Sequence, residues 1–314
     1  MKQIQHKTRA LLVTLALLLC TYVSFAQQDP VFTQYMNNIS SVNPAYVGIR
    51  GVASFTALNR KQWVGFKDAP FTSSLTLGLP VDSLGKMGLG FDFMFDNNRP
   101  ESYTSLYVDY SYRVKTSSTS QLSFGLKGGF NYLQPSLIAL DRYHEDDPYI
   151  LTYGDEPHLM PNFGVGVYWY TENFYVGFAV PRLLRNRFHK DAVEFQAASR
   201  EERHYFFHTA YSYQISPSTV FKPGFASIVT QGTPATASFD FSFMFYEQFW
   251  VGATYRISDA LGGYTQFQYQ NIKIGLSYEY PLTDMRLNTF GTFEVMLRFD
   301  FKTHKRQVHP SPFF

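Results

Sequence analysis

The stretch Ala235–Tyr246, ATASFDFSFMFY, alternates between two kinds of residue. One set consists of Ala235, Ala237, Phe239, Phe241, Phe243 and Phe245, and the other of Thr236, Ser238, Asp240, Ser242, Met244 and Tyr246. Successive side chains of a β-strand point to opposite faces, so this pattern predicts a strand with one apolar and one mainly polar face. The stretch is also longer than the ~5–6 residues usual in soluble strands, and it suits a tilted crossing of a bilayer.

The same alternation recurs along the chain and predicts fourteen strands. They are expected at 51–60, 70–79, 86–96, 102–114, 121–133, 162–171, 173–180, 203–215, 219–229, 235–246, 248–257, 262–270, 272–280 and 292–302. A soluble β-sandwich also alternates. Two features here favour a barrel with lipid outside and a polar lumen inside. The segments are long, and the less apolar face of each is rich in Ser, Gly, Asn, Gln and Tyr. We therefore predict an all-β fold, a transmembrane antiparallel β-barrel of fourteen strands over residues 51–302.

Connection lengths predict which rim faces which compartment. Every second connection between the predicted strands is short. The two longest connections, 134–161 and 181–202, are among those that alternate with the short ones. Bacterial barrels have short periplasmic turns and longer extracellular loops. We expect a protein of the outer membrane of a diderm bacterium, in contact with outer-membrane lipid, with its N- and C-termini in the periplasm.

Composition narrows the class of protein further. Aromatic residues make up 18% of the chain and charged residues 17%, with a net charge of +2. Disordered chains are rich in charge and poor in aromatics, and a nucleic-acid partner would require an excess of Lys and Arg, so both classes are excluded.

The first 26 residues predict a cleaved signal peptide. A basic start is followed by the apolar run 10–19 and by Ser24-Phe25-Ala26. A lipoprotein signal ending at Cys20 is the alternative, but Leu19 is larger than the residue expected before a lipidated cysteine. Cleavage after Ala26 would remove the single cysteine, which excludes a disulfide framework and a thiolate metal site.

Motifs of known chemistry are mostly absent from the sequence. There is no Gly-x-Ser-x-Gly, His-Glu-x-x-His or Walker motif. An acidic string at 144–148 allows a calcium loop, and a basic cluster of Arg182, Arg185, Arg187 and Lys190 allows contact with lipopolysaccharide or a partner. We interpret both as solvated loops and predict no enzymatic activity, no cofactor and no bound metal.

Residues 27–50, before the first strand, form a separate segment. Its prolines, Pro30 and Pro44, prevent a long helix, whereas Phe32, Tyr35 and Met36 have the spacing of one amphipathic turn. These apolar side chains require a surface to pack on. Two interpretations stay open at this stage, a plug inside the barrel lumen or a periplasmic lead-in. The basic residues 303–314 are expected to form a periplasmic tail after the last strand.

Several motifs resemble the PorP/SprF family. They are Gln28-Asp29-Pro30, Phe32-Thr33-Gln34-Tyr35-Met36, Asn43-Pro44-Ala45-Tyr46-Val47-Gly48, Arg60-Lys61-Gln62-Trp63 with Ala69-Pro70-Phe71-Thr72, and later Gly-aromatic strings such as Pro161–Gly166 and Phe249–Gly252. The resemblance covers essentially the whole chain after residue 26. It points to the following partner-binding or plug residues: Asp29, Pro30, Phe32, Gln34, Tyr35, Met36, Asn43, Pro44, Ala45, Tyr46, Gly48, Arg60, Gln62 and Trp63.

The resemblance implies a non-enzymatic outer-membrane component of the type IX secretion system. Such a protein would support export or surface attachment of particular secreted proteins, including gliding adhesins. Its partners would be that client and other secretion components, among them periplasmic proteins linked to peptidoglycan. The alternative is a channel for hydrophobic small molecules, since fatty-acid transporters also carry an Asn-Pro-Ala in an N-terminal hatch, as Asn43-Pro44-Ala45 does here.

Overall fold

The computed structural model describes residues 30–82, 84–136, 156–186, 201–231 and 233–301. Fifteen strand segments follow one another: β1 Ala53–Lys61, β2 Phe71–Pro80, β3 Met87–Asn98, β4 Glu101–Lys115, β5 Gln121–Pro135, β6 His158–Tyr170, β7 Phe174–Val180, β8 His204–Tyr211, β9 Tyr213–Ser216, β10 Thr219–Thr230, β11 Thr236–Phe245, β12 Phe249–Arg256, β13 Ala260–Tyr269, β14 Ile272–Pro281 and β15 Thr292–Phe301. The predicted signal peptide and C-terminal tail, and the acidic string at 144–148, lie outside the described residues.

The strands form one closed antiparallel barrel. Consecutive strands pair with each other, except β8 with β9, and β1 pairs with β15 to close the circle. Both β8 and β9 pair with β10, so they are two pieces of one barrel strand interrupted at Ser212. The barrel therefore has fourteen strands, and the predicted fold class and strand number are confirmed.

Strand boundaries differ from the predicted ones where local alternation fails. β6 begins at His158, four residues earlier than predicted, because His158 still pairs with Leu133 of β5. β13 likewise begins at Ala260, where it pairs with Pro281 of β14. In both places Pro or Gly residues interrupt the apolar pattern, and the hydrogen-bonded neighbour extends the strand.

Exposure follows the predicted alternation. Along β11, Phe239, Phe241 and Phe243 face outward and are exposed, whereas Asp240 and Ser242 face the lumen and are buried. The same division holds along most of the other strands, whereas β9 and β10 show no regular alternation of exposed and buried residues. The outer surface is an apolar band suited to lipid, and the buried side chains of the lumen are largely polar or charged.

Residues 30–52 do not join the wall. They form two 3-10 turns, Tyr35–Asn37 and Pro44–Tyr46, on either side of a four-residue helix, α1 Ile39–Val42. Most of their side chains are buried against inward-facing wall residues. We call residues 30–52 the lumenal segment.

Candidate functional site in the barrel lumen

Four charged wall residues fix the start of the lumenal segment. Arg60 of β1 contacts Glu294 of β15 at 2.6 Å and Glu279 of β14 at 2.8 Å, and Arg256 contacts Glu279 at 2.9 Å. Thr33 binds both acids, its backbone N–H donating to Glu294 at 2.7 Å and its hydroxyl to Glu279 at 2.9 Å. Charge-assisted hydrogen bonds of this kind are about twice as strong as neutral ones. The wall ion pairs therefore also hold the segment.

Basic wall residues bind backbone carbonyls farther along the segment. Arg298 donates to the carbonyl of Asn37 at 2.7 Å. Lys127 donates to the carbonyl of Ser41 at 2.7 Å and contacts Asp92 at 2.6 Å. These bonds satisfy carbonyls that short helical turns leave without a partner.

The Asn43-Pro44-Ala45 motif forms a capped turn. The Asn43 side chain accepts the backbone N–H of Ala45 at 3.1 Å, and Pro44 occupies the first position of the turn, where its missing N–H has no cost. The Asn43 amide also donates to the carbonyl of Val167 at 3.3 Å and lies 3.2 Å from His208 Nε2. One side chain thus caps the turn and joins it to the wall.

Glycines allow the wall to approach this turn closely. A Cβ at Gly125 of β5 would lie 2.1 Å from the backbone nitrogen of Ala45, and one at Gly166 of β6 would lie 2.1 Å from Asn43 Oδ1. Neither distance is sterically possible. The two strands can therefore hold the Asn-Pro-Ala turn in this position only with glycine at these two sites.

An aromatic cluster packs beside the turn. Tyr46 meets Tyr168 edge-on, with ring centroids 5.5 Å apart, and Tyr168 stacks on Tyr175 at 5.2 Å. Ile39 and Ile49 complete the apolar side of the cluster. This packing contributes an apolar anchor to a site otherwise held by hydrogen bonds.

The segment ends near the rim where β1 begins. Arg113 donates to the carbonyl of Gly48 at 2.8 Å, and Arg50 contacts Asp300 at 2.6 Å. The strand register places Asp300 opposite Ser54, at the beginning of β1. Glu294 lies opposite Arg60, near the end of β1. Residues 33 and 50 therefore lie toward opposite rims, and the segment runs along the lumen between them.

This path bears on the expected location of the termini. Residues 30–34 lie toward the rim opposite Phe301, the last described residue. The sequence placed both termini in the periplasm. For both termini that stays a prediction, since residues 1–29 and 302–314 lie outside the described residues.

The structure brings most of the predicted site residues together. Those inside or lining the lumen are Pro30, Phe32, Gln34, Tyr35, Met36, Asn43, Pro44, Ala45, Tyr46, Gly48 and Arg60. Gln62 and Trp63 lie apart from them in the loop after β1, where their backbone N–H groups donate to the Pro70 carbonyl and the Thr292 hydroxyl.

Sequence reasoning missed the wall residues of the site. None of Glu279, Glu294, Arg298 and Lys127 is among the site residues predicted from the sequence. The available signal was the presence of charges on inward-facing positions of a chain poor in charge. That signal identifies lumenal charges but not which of them meet.

The described residues show no arrangement that would hold a metal ion. No group of three or more His, Cys, Asp or Glu side chains comes together among them. Within the same ranges, no helix has the length and apolar character to cross a membrane.

Fold and site together define a class of protein, an antiparallel β-barrel of the outer-membrane type whose N-terminal residues fill part of its own lumen. A family model described as type IX secretion system membrane protein PorP/SprF matches residues 24–299. The chain belongs to this family. It is thus a membrane component that functions with the other parts of the type IX secretion system.

Solved structures resembling the chain include bacterial channels and porins. The CymD monoaromatic hydrocarbon channel has a TM-score of 0.49 at 9% identity, covering 85% of this chain and 99% of that one. The NanC porin has a TM-score of 0.40 at 10% identity, covering 80% of this chain and 100% of that one. No curated protein matches the chain.

Proposed function

We propose that this protein is a non-enzymatic docking barrel that supports export or surface attachment of specific secreted proteins, such as gliding adhesins. The observation that carries the proposal is the occupation of the lumen by residues 30–52. Hydrogen bonds from this segment reach opposite sides of the wall, including Glu294 of β15 and Ser123 of β5. A lumen filled in this way supports a role in which partners bind at the rims.

The proposal assigns different partners to the two rims. The long connections after β5 and β7 would meet the secreted client outside the cell. The short turns would meet periplasmic secretion components, including proteins linked to peptidoglycan. Arg182 and Arg185 belong to the connection after β7, where Arg185 contacts Glu202 at 3.3 Å, whereas Arg187 and Lys190 lie outside the described residues.

The alternative function is a channel in which hydrophobic small molecules pass through the lumen. A transporter requires a continuous path past the lumenal segment. Among the described residues, that segment is attached to the wall near both rims. A hydrogen bond from Thr33 to Glu294 holds one end, and an ion pair between Arg50 and Asp300 holds the other. This arrangement favours docking over passage.

The test is a comparison of secreted and surface proteins in a strain lacking the gene. Complementation with the wild-type chain should restore a small set of clients, whereas a chain lacking 28–43 should not restore them although its barrel reaches the outer membrane. Purified barrel in planar bilayers provides the second measurement. An unchanged secretome together with a steady conductance that hydrophobic solutes block would favour the channel and overturn the docking proposal.

A further inference from the structure

A second site lies beside the lumenal segment, in the half of the lumen nearest Phe301. It is a cavity of about 40 Å³ between Tyr35 and Asn37 of the segment and the strands β10 to β15. Three basic side chains and one carboxylate line it: Lys222, Lys273, Arg298 and Asp240. None of the family-related motifs includes these residues.

Two of these cations come from directly paired positions on neighbouring strands. Lys273 of β14 and Arg298 of β15 are cross-strand partners, and both are buried, with 8% and 4% of their surface exposed. Like charges directly opposite on neighbouring strands destabilise a sheet. The pair therefore requires compensation from another charge.

The protein groups that contact this pair are neutral. Arg298 donates to the Thr56 hydroxyl and the Asn37 carbonyl. The Lys273 ammonium lies 3.7 Å from the centre of the Trp250 ring. A cation over an aromatic face is stabilised by about 0.5–2 kcal/mol, much less than the cost of removing an ammonium from water.

The carboxylates nearby do not balance the charge. Four cations, Arg50, Lys222, Lys273 and Arg298, act on one another across this region, with Asp240 and Asp300 as the acids. Asp300 is held by Arg50 at 2.6 Å, and Asp240 accepts the Tyr264 hydroxyl at 3.1 Å. By formal charge, the four cations outnumber the two carboxylates by two among the described residues of this region.

We propose that the cavity binds a small oxyanion, a carboxylate, phosphate or sulfate, through Lys273 and Arg298 with Lys222 on the facing wall. Buried charges are normally paired, and an anion would supply the missing pair. The cavity exceeds the ~10–15 Å³ that one water requires, so it has room for a small polar group. A bound anion would also link β14 and β15 to the lumenal segment through Arg298 and Asn37.

The test uses the purified full-length barrel in detergent, titrated with phosphate, sulfate or acetate against chloride at constant ionic strength. Phosphate and sulfate stabilise proteins generally, so the expected signal is saturable and depends on the site. At a hundredfold excess over Kd, the unfolding temperature should rise by on the order of 5 °C. Comparing acetate with phosphate and sulfate distinguishes the two kinds of oxyanion.

Lys273→Met is the decisive variant, and Lys115→Met, at an exposed position, is its control. Lys273→Met should unfold at a higher temperature than the wild type in chloride, because one of two opposed charges is gone, and it should lose the saturable rise. Lys115→Met should keep that rise. If Lys273→Met is less stable and still responds to the anion, Lys273 serves only to pack on Trp250, and the proposal is wrong.

Trp250 provides a measurement that does not depend on unfolding. In a Trp63→Phe, Trp169→Phe background it is the single tryptophan in the chain. Anion binding to Lys273 should change the fluorescence emission of Trp250, with the same dependence on anion concentration as the unfolding temperature. An emission that is the same in all four salts would overturn the proposal.

Discussion

Arg60 Nη1 lies 2.6 Å from Glu294 Oε1, and the same oxygen accepts the backbone N–H of Thr33 at 2.7 Å. One carboxylate thus joins two neighbouring strands and holds the lumenal segment. Stability of the barrel and position of the segment are therefore coupled at this residue.

The first prediction concerns this coupling. Arg60→Met leaves Glu294 buried without its cation, and breaking a buried ion pair from one side costs about 3–5 kcal/mol. Arg99→Met is the control, because Arg99 pairs with Asp68 at the surface, where such a pair contributes about 0–1 kcal/mol. Urea unfolding in detergent measures both. Equal midpoints for the two variants would contradict a structural role for the buried pair.

The second prediction concerns the Asn-Pro-Ala turn. Gly125→Ala should displace the turn, since the new Cβ would lie 2.1 Å from Ala45 N, whereas Gly128→Ala on the same strand meets nothing closer than 3.6 Å. A cysteine placed at buried Ile39 should react with maleimide in the Gly125→Ala barrel and stay protected in the Gly128→Ala barrel. Protection in both would show that the wall, and not the turn, adjusts.

The third prediction concerns the lipid face. Phe241 is exposed on the outer face of β11, and Arg there should cost about 2–4 kcal/mol if the position lies near the bilayer midplane. Phe290→Arg, in the connection after β14, is the control and should have little effect. Ser242 is a poor control despite being the neighbour, because it is buried beside Lys222 in the lumen. Refolding into vesicles followed by urea unfolding measures the difference, and an unaffected Phe241→Arg would place that face away from lipid.

The fourth prediction concerns orientation. Leu84 and Leu287 are 76% and 75% exposed in connections at opposite rims. With the short turns in the periplasm, Leu287→Cys should react with an impermeant maleimide on intact cells. Leu84→Cys should react only after the outer membrane is permeabilised. The reverse pattern would invert the barrel and exchange the partners proposed for its two rims.

The sequence by itself determined the barrel wall. Alternation with a period of two is a local property, because each outward side chain meets lipid and each inward one meets the lumen whatever the rest of the chain does. Phe239, Phe241 and Phe243 could therefore be assigned from their neighbours alone. The predicted strand boundaries were wrong where pairing with the neighbouring strand sets the boundary, as at His158, which pairs with Leu133.

Only the tertiary structure decided how the lumen is filled. Thr33 and Glu294 are separated by 261 positions and meet because β1 pairs with β15, and barrel closure brings both acids to Arg60. The sequence left a plug and a lead-in equally open for Phe32 and Tyr46, since an apolar side chain shows that it needs a surface but not which one. The opposition of Lys273 and Arg298 is likewise a consequence of register, which depends on the pairing of whole strands and not on either residue.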